Sequence, residues 1–214
     1  MAKGLLITIE GIDGSGKSTQ INFIKNYLEQ IGCNVLVTRE PGGTEISEKI
    51  RSIILDPANK NMGPITELLL YASARAQLVF EVIKPALYAG NIVVCDRFID
   101  STIAYQGYGR GINIDSIICV NNLALQGVQP DLTILLDISP ENALKRRLPP
   151  LSFDRIEQED NEFYRKVSEG YRSLAKKYPG RIKSIDADRC REDVFNDIKI
   201  YIDKLLWILV CCYK

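Results

Sequence analysis

The chain has 214 residues with 27 basic and 27 acidic side chains, so no net field marks it for nucleic acid or an anionic membrane, and phosphate chemistry would have to come from local clusters of Arg and Lys. It contains no histidine, which excludes histidine-based nucleophile triads and histidine-ligated metal sites. Six cysteines, at 33, 95, 119, 190, 211 and 212, match neither zinc nor CxxC spacing, and Cys33 and Cys95 read as small hydrophobes in or beside apolar runs.

In chain order, Leu5 to Ile9 is a short apolar run that predicts a buried strand, followed by a glycine turn and a helix-period stretch from Lys17 to Ile31 that Gly32 closes. A second strand is predicted over 34–38, then a loop from Arg39 to Gly43, then helices over about 44–55 and 65–89. Further strands are expected at 92–95, 132–136 and 181–185, and helices at 114–126, 140–147, 158–178 and 190–210. Strands alternating with helices imply right-handed crossovers and a parallel sheet covered on both faces, with ligands outside the carboxyl ends of the strands. The length fits one α/β domain spanning 1–214, with no repeat or linker to divide it. Neither end carries a targeting signal, and the apolar run 205–212 is far below the roughly 20 residues of a membrane span, so it reads as the apolar end of a core-packing helix and a cytoplasmic protein is expected.

Residues 11–19 hold the strongest signal. Gly11, four residues, then Gly16-Lys17-Ser18 is the P-loop pattern, which average composition would produce in roughly one chain in a hundred of this length; a preceding strand and a following helix make coincidence rarer still. Glycines let successive N–H groups turn inward on phosphates, and the helix start adds its positive end. The stretch Gly11, Ile12, Asp13, Gly14, Ser15, Gly16, Lys17, Ser18 and Thr19 is therefore the expected binding loop for a nucleoside triphosphate, with Lys17 on the β- and γ-phosphates and the Ser18 hydroxyl on Mg²⁺.

A P-loop alone specifies a nucleotide and not a reaction. Its company narrows the field. Arg39 ends one predicted strand, and Asp96-Arg97 ends another, where an acid can hold Mg²⁺ and an arginine can clamp a phosphate with two hydrogen bonds. Arg75 interrupts an otherwise apolar helical run from Leu68 to Val79.

Residues 11–19, Arg39 to Gly43, Tyr71 to Gln77, Asp96 to Gln106 and Asp154-Arg155-Ile156-Glu157 together resemble the thymidylate kinase family in its bacterial form, with family-like spacing over nearly the whole chain. The segment Asp96-Arg97-Phe98-x2-Ser101-x2-Ala104-Tyr105-Gln106 is the part most specific to that family. The resemblance implies a P-loop NTPase fold with a five-stranded parallel sheet, helices on both faces and a short mobile lid at about 145–157. It implies transfer of the γ-phosphoryl group of ATP to dTMP, with Mg²⁺, in a homodimer that uses helices between 65 and 126. Asp13 resembles the acid that binds the acceptor's sugar hydroxyl and helps organise the metal. Arg39 and Arg97 resemble the arginines on the acceptor's phosphate, and Arg75 the one on thymine O4. Ser101 and Gln106 look like further base contacts, Tyr105 like the ring beneath the deoxyribose, and Tyr71 like the stacking aromatic, with an added hydroxyl. Because the acceptor phosphate is already a nucleophile at pH 7, alignment and charge neutralisation suffice, and the lack of histidine is no obstacle.

The lid departs from the family's pattern. In this family an arginine near the transferring phosphate comes from the P-loop or from the lid, and the P-loop position here is Gly14. Ungapped counting places Pro150 where the lid arginine is expected. That leaves Arg146, Arg147 or Arg155 to supply the charge, Arg147 being nearest, and the prolines limit how the segment folds. Two other readings stay open at this stage: a P-loop kinase of another nucleotide or nucleoside, and a nucleotide-binding regulator weakened in catalysis.

Overall fold

The structure, a computed structural model, describes residues 4–146 and 154–212, with side chains as far as residue 207. Among the described residues, five parallel strands form one sheet in the order β2-β3-β1-β4-β5. They are β1 (Leu5–Glu10), β2 (Val35–Arg39), β3 (Ile92–Asp96), β4 (Leu132–Asp137) and β5 (Ile182–Asp186). The strands of the sheet interior are apolar runs because both of their faces are covered. Along β1, Leu5, Ile7 and Ile9 enter one core while Leu6 enters the other, which is the period-2 alternation of a strand. The second face of β1 also carries Thr8 and the fully buried Glu10. Thr8 hydrogen-bonds Thr133 at 2.7 Å, and Arg181 joins Thr133 to Asp100 at 2.6 Å from each, so buried polar groups there are paired.

Helices α1 (Lys17–Gln30), α2 (Glu45–Leu55), α3 (Pro64–Leu78) and α4 (Lys84–Tyr88) surround the first half of the chain. A π-helical turn, Val79–Ile83, joins α3 to α4. Beyond β3 come α5 (Ile99–Thr102), a second π-helical segment (Ile103–Gly109) and α6 (Ile114–Leu125). The second half adds α7 (Pro140–Arg146), α8 (Asn161–Lys177) and α9 (Arg191–Cys212). Side-chain caps start several of these: Thr44 accepts from Ser47 N, Asn113 from Ser116 N and Asp160 from Phe163 N.

The strands and long helices lie where the sequence places them, with one expectation corrected and one unassigned stretch filled. The helix expected over 65–89 is interrupted by the π turn at Val79–Ile83. Residues 99–109, which carry no clear helical pattern, are helical throughout. Cys95 is fully buried, Cys33 is half-buried against the core, and Cys119 and Cys190 are exposed thiols. In α9, Leu205 and Leu206 pack on the core while Trp207 is exposed. No helix among the described residues is long and apolar enough to cross a membrane.

Candidate active site

The carboxyl ends of the strands deliver Glu10, Arg39, Asp96 and Asp137 to one edge of the sheet. Between β1 and α1 the chain turns through Gly11 at φ 142° and Gly16 at φ 95°. A Cβ on Gly11 would lie 2.7 Å from the Leu136 carbonyl oxygen, so both the dihedral and the space require glycine there. Gly16 precedes α1 in a left-handed conformation and brings no side chain to its free N–H groups, which leaves them for an anion. Lys17 is buried and donates to the Gly11 and Ile12 carbonyls, 3.1 Å from each, with Asp13 at 3.8 Å. Burial, and then the Arg97 charge, lower its pKa.

Two hollows meet at this loop. The first, on the side of the phosphate loop and so the expected donor cavity, is lined by residues 13–20, Arg39, Asp96, Arg97, Arg146 and the stretch around Ala187, Arg189 and Arg191. The second, the expected acceptor cavity, is lined by Tyr71, Arg75, Arg97, Phe98, Ser101, Thr102, Tyr105 and Gln106, together with Glu40, Pro41 and Asp154. The pairs 101–102 and 105–106, one turn apart, give this cavity a continuous wall from one helical face. Asp13, Glu40, Arg51 and Arg97 line both hollows, so the two open into each other.

Arg97 stands at the seam in a left-handed backbone conformation, φ 64°, which is rare for a residue with a side chain and marks stored strain at a site. It donates to Asp13 Oδ1 at 2.7 Å, the Gly11 carbonyl at 2.8 Å and the Tyr171 hydroxyl at 3.2 Å, and its guanidinium lies 5.1 Å from the Tyr105 ring centroid. Burial pulls its pKa down, but Asp13 and the other groups around it outweigh that and hold it well above the usual arginine value. Behind it, Glu10 accepts from Phe98 N at 2.8 Å and the Ser101 hydroxyl at 2.5 Å, and from Tyr171 at 3.1 Å. Burial and then the nearby Asp100 raise the Glu10 carboxyl to about 7. Arg75, almost wholly buried, donates to both Glu40 oxygens, to Asn121 at 2.5 Å and to Thr102 at 2.8 Å.

The expected site residues fall into place unevenly. Asp13 to Thr19 and Arg146 line the donor cavity, while Gly11 and Ile12 sit behind the loop and contribute carbonyls to Lys17. Tyr71, Arg75, Ser101, Tyr105 and Gln106 all line the acceptor cavity. Arg39 is half exposed, paired with Glu48 at 2.9 Å, and belongs to the donor side. Arg155 departs from its expected role as a source of catalytic charge: it is buried, donates to the Ile54 carbonyl at 2.8 Å, pairs with Glu67 at 2.6 Å and reaches neither cavity. Its own N–H is bonded to the Leu55 carbonyl at 3.0 Å, which fastens the end of the expected lid to α2. Arg147, Pro149 and Pro150 lie outside the described residues, and so does the centre of the lid.

Glu10, Glu40, Arg51, Glu67, Asn121, Tyr171, Arg189 and Arg191 were not legible as site residues. Glu40 lies in the loop from Arg39 to Gly43 that the sequence singles out, yet its partner Arg75 is 35 residues away, and no local pattern announces such a pairing.

A phosphate loop shared by two connected hollows, on the carboxyl edge of this parallel sheet, defines a P-loop kinase. Comparison with known proteins narrows the class: a family model described as thymidylate kinase matches residues 9–198, and the chain belongs to that family. It is 50% identical over 204 residues to a thymidylate kinase of Thermoanaerobacter sp. (strain X514), covering 95% of this chain and 100% of the relative. It is 46% identical over 204 residues to a thymidylate kinase of Clostridium novyi (strain NT), covering 94% and 100%. The crystal structure of thymidylate kinase from Ehrlichia chaffeensis superimposes with a TM-score of 0.75 at 37% identity, covering 94% of this chain and 99% of that one.

Proposed function

We infer that the chain is a thymidylate kinase, which transfers the γ-phosphoryl group of ATP to dTMP and gives dTDP and ADP for dTTP synthesis. The observation that carries this reading is the seam: Arg97 and Asp13, 2.7 Å apart, face both hollows, where a donor and an acceptor phosphate would meet. Lys17 and the uncapped start of α1 would hold the donor phosphates, and Arg97 the acceptor phosphate, which Arg39 would meet from the donor side of the seam. Asp13 would bind the acceptor's sugar hydroxyl, and Tyr71 and Tyr105 would enclose base and sugar, with Arg75, Ser101 and Gln106 reading the base edge. The catalytic work is alignment and charge neutralisation by these fixed groups.

Mg²⁺ fits the donor cavity by the chemistry of its walls. Asp96 Oδ1 is buried with no hydrogen-bond partner among the described residues, and the exposed Ser18 hydroxyl lines the same hollow, so two hard oxygen donors are available. When bound there, the ion would neutralise charge on the donor's phosphates.

Arg146 turns its guanidinium to the Ala187 carbonyl and Asp188, on the side of the donor cavity formed by the β5–α9 turn. Arg147 is then the residue proposed to bring the lid's charge to the transferring phosphate. The one-domain organisation with a lid at 145–157, the cytoplasmic location and the homodimer belong to the same proposal. The dimer is supported by exposed apolar side chains on α3 and α6, among them Ile65, Leu69 and Leu123.

A coupled assay with ATP, Mg²⁺ and a panel of nucleoside monophosphates tests the reading. Transfer to dTMP is expected to lead the panel. Preference for another acceptor, or nucleotide binding with no transfer to any, would overturn it.

A further inference from the structure

Gln106 reads the acceptor cavity through an amide whose two ends have opposite hydrogen-bonding character and nearly equal size. Something must decide which end faces the ligand. Its Nε2 donates to Glu67 Oε1 at 2.9 Å, in a pocket where Glu67 is 1% exposed. The other neighbours of that carboxylate are cations: Arg110 donates to each oxygen at 3.2 Å, and Arg155 lies 2.6 Å from Oε2 as an ion pair. Burial pulls the Glu67 pKa up, but the hydrogen bonds from Arg110 and Gln106 and the nearby arginine charges outweigh it and hold the group below the ordinary range, so it stays ionised. An ionised carboxylate only accepts. Turning the amide over would set Oε1 against Glu67, leaving two acceptors in contact without a proton between them.

We propose that Glu67 is a specificity-determining positioning residue: by holding the Gln106 amide nitrogen, it commits Gln106 Oε1 to the cavity and makes the site a reader of imide pyrimidines, thymine and uracil, against cytosine. An imide edge offers an N3–H flanked by carbonyl oxygens, and it meets an acceptor from Gln106 and a single donor from Arg75. Cytosine offers a lone pair at N3 and an amino group beside it, so it meets like against like on both contacts. An unmade hydrogen bond in a buried site discriminates strongly, because the protein group is left unpaired as well. Glu67 does not line the cavity itself and acts only through Gln106.

The inference rests on the proposed acceptor cavity and is tested by the variant Glu67→Gln. Arg110 Nη2 and Arg155 both meet Glu67 at Oε2, while Arg110 Nε shares Oε1 with Gln106, so the new side chain sets its oxygen at the Oε2 position and, at the loss of the Arg110 Nε contact, turns its own amide nitrogen toward Gln106. That inverts Gln106 and presents a donor to the base. The expected result is a fall in kcat/KM for dTMP and dUMP together, while dCMP holds or gains, so that the dTMP-to-dCMP ratio narrows by about tenfold or more. Glu67→Asp keeps the charge and still forbids the inverted amide; it is expected to hold the ratio within about threefold of the native enzyme even where stability drops. A ratio unchanged in Glu67→Gln, or narrowed alike in Glu67→Asp, would show that Glu67 serves packing alone and overturn the proposal. Failure of the native enzyme to phosphorylate dTMP would instead remove the functional reading beneath it.

Discussion

Arg75 was visible in the sequence as a charge inside an apolar helix, but what it does for the fold was not. It is 1% exposed and its closest ion-pair contact to Glu40 is 2.6 Å, so either group alone would be a charge stranded in the interior. Arg75→Met is therefore expected to cost about 3–5 kcal/mol of stability, read by urea unfolding, beyond any effect on substrate. Glu10 makes a second prediction at this scale. Its folded value of about 7 lies above the ordinary value of 4.5, so between those pH values the native state binds the extra proton. Stability from this group is complete below about 4.5 and is lost as pH rises through 7; the loss is on the order of 3 kcal/mol. Unfolding free energies measured at pH 5 and 7.5 should differ less in Glu10→Gln than in the native chain by about that amount. With no histidine in the chain, Glu10 has few competitors for titration in this range.

The elements were legible where one periodicity held for a whole segment. β1 and α1 with the loop between them, and the later strands, follow from apolar runs and glycine punctuation alone. The stretch 99–109 was not legible, because Thr102, Ile103, Gly107 and Gly109 are weak helix formers and the π-helical register breaks the 3.6-residue pattern. Its helical form comes from packing against α8, where Tyr105 meets Phe163 and Tyr171 edge to face. The end of the lid is a second case. Asp154-Arg155 was legible as a family-like motif, but the role of Arg155 depends on α2 and on Glu67, both distant in sequence. Two variants separate the lid's arginines. Arg155→Met should cost about 3 kcal/mol in thermal or urea unfolding, because Glu67 loses a buried partner. Arg147→Ala should leave stability near native and lower kcat by a factor on the order of 10³. Equal loss of stability in both would contradict this division.

At the scale of the molecule, the order β2-β3-β1-β4-β5 was foreseeable only as a parallel sheet with crossovers; the strand neighbours are a matter of tertiary packing. The surface carries a clearer message. Ile65 and Leu69 on α3 and Leu123 on α6 are 57%, 50% and 82% exposed, more apolar side chain than two packed helices would leave in water without a partner. Leu69→Lys with Leu123→Lys should shift the protein from dimer to monomer in light scattering while its unfolding profile at low concentration changes little. A native protein that runs as a monomer would reject the dimer.

Glu67 joins residues that a list of single substitutions would treat as unrelated: a base reader, the arginine after it and the foot of the lid. Free energies of substitution at these positions should not add. Once Glu67 is replaced, Arg155 has lost its carboxylate and Arg110 keeps only Glu159, so losing either arginine should cost less than it does in the native chain. A double-mutant cycle on Glu67 and Arg110 would read this as an interaction energy of about 1–3 kcal/mol. Altering the acceptor preference of this enzyme is accordingly a correlated problem: a change at the carboxylate alone also costs stability, and a route that keeps both preference and stability alters the carboxylate and its arginines together.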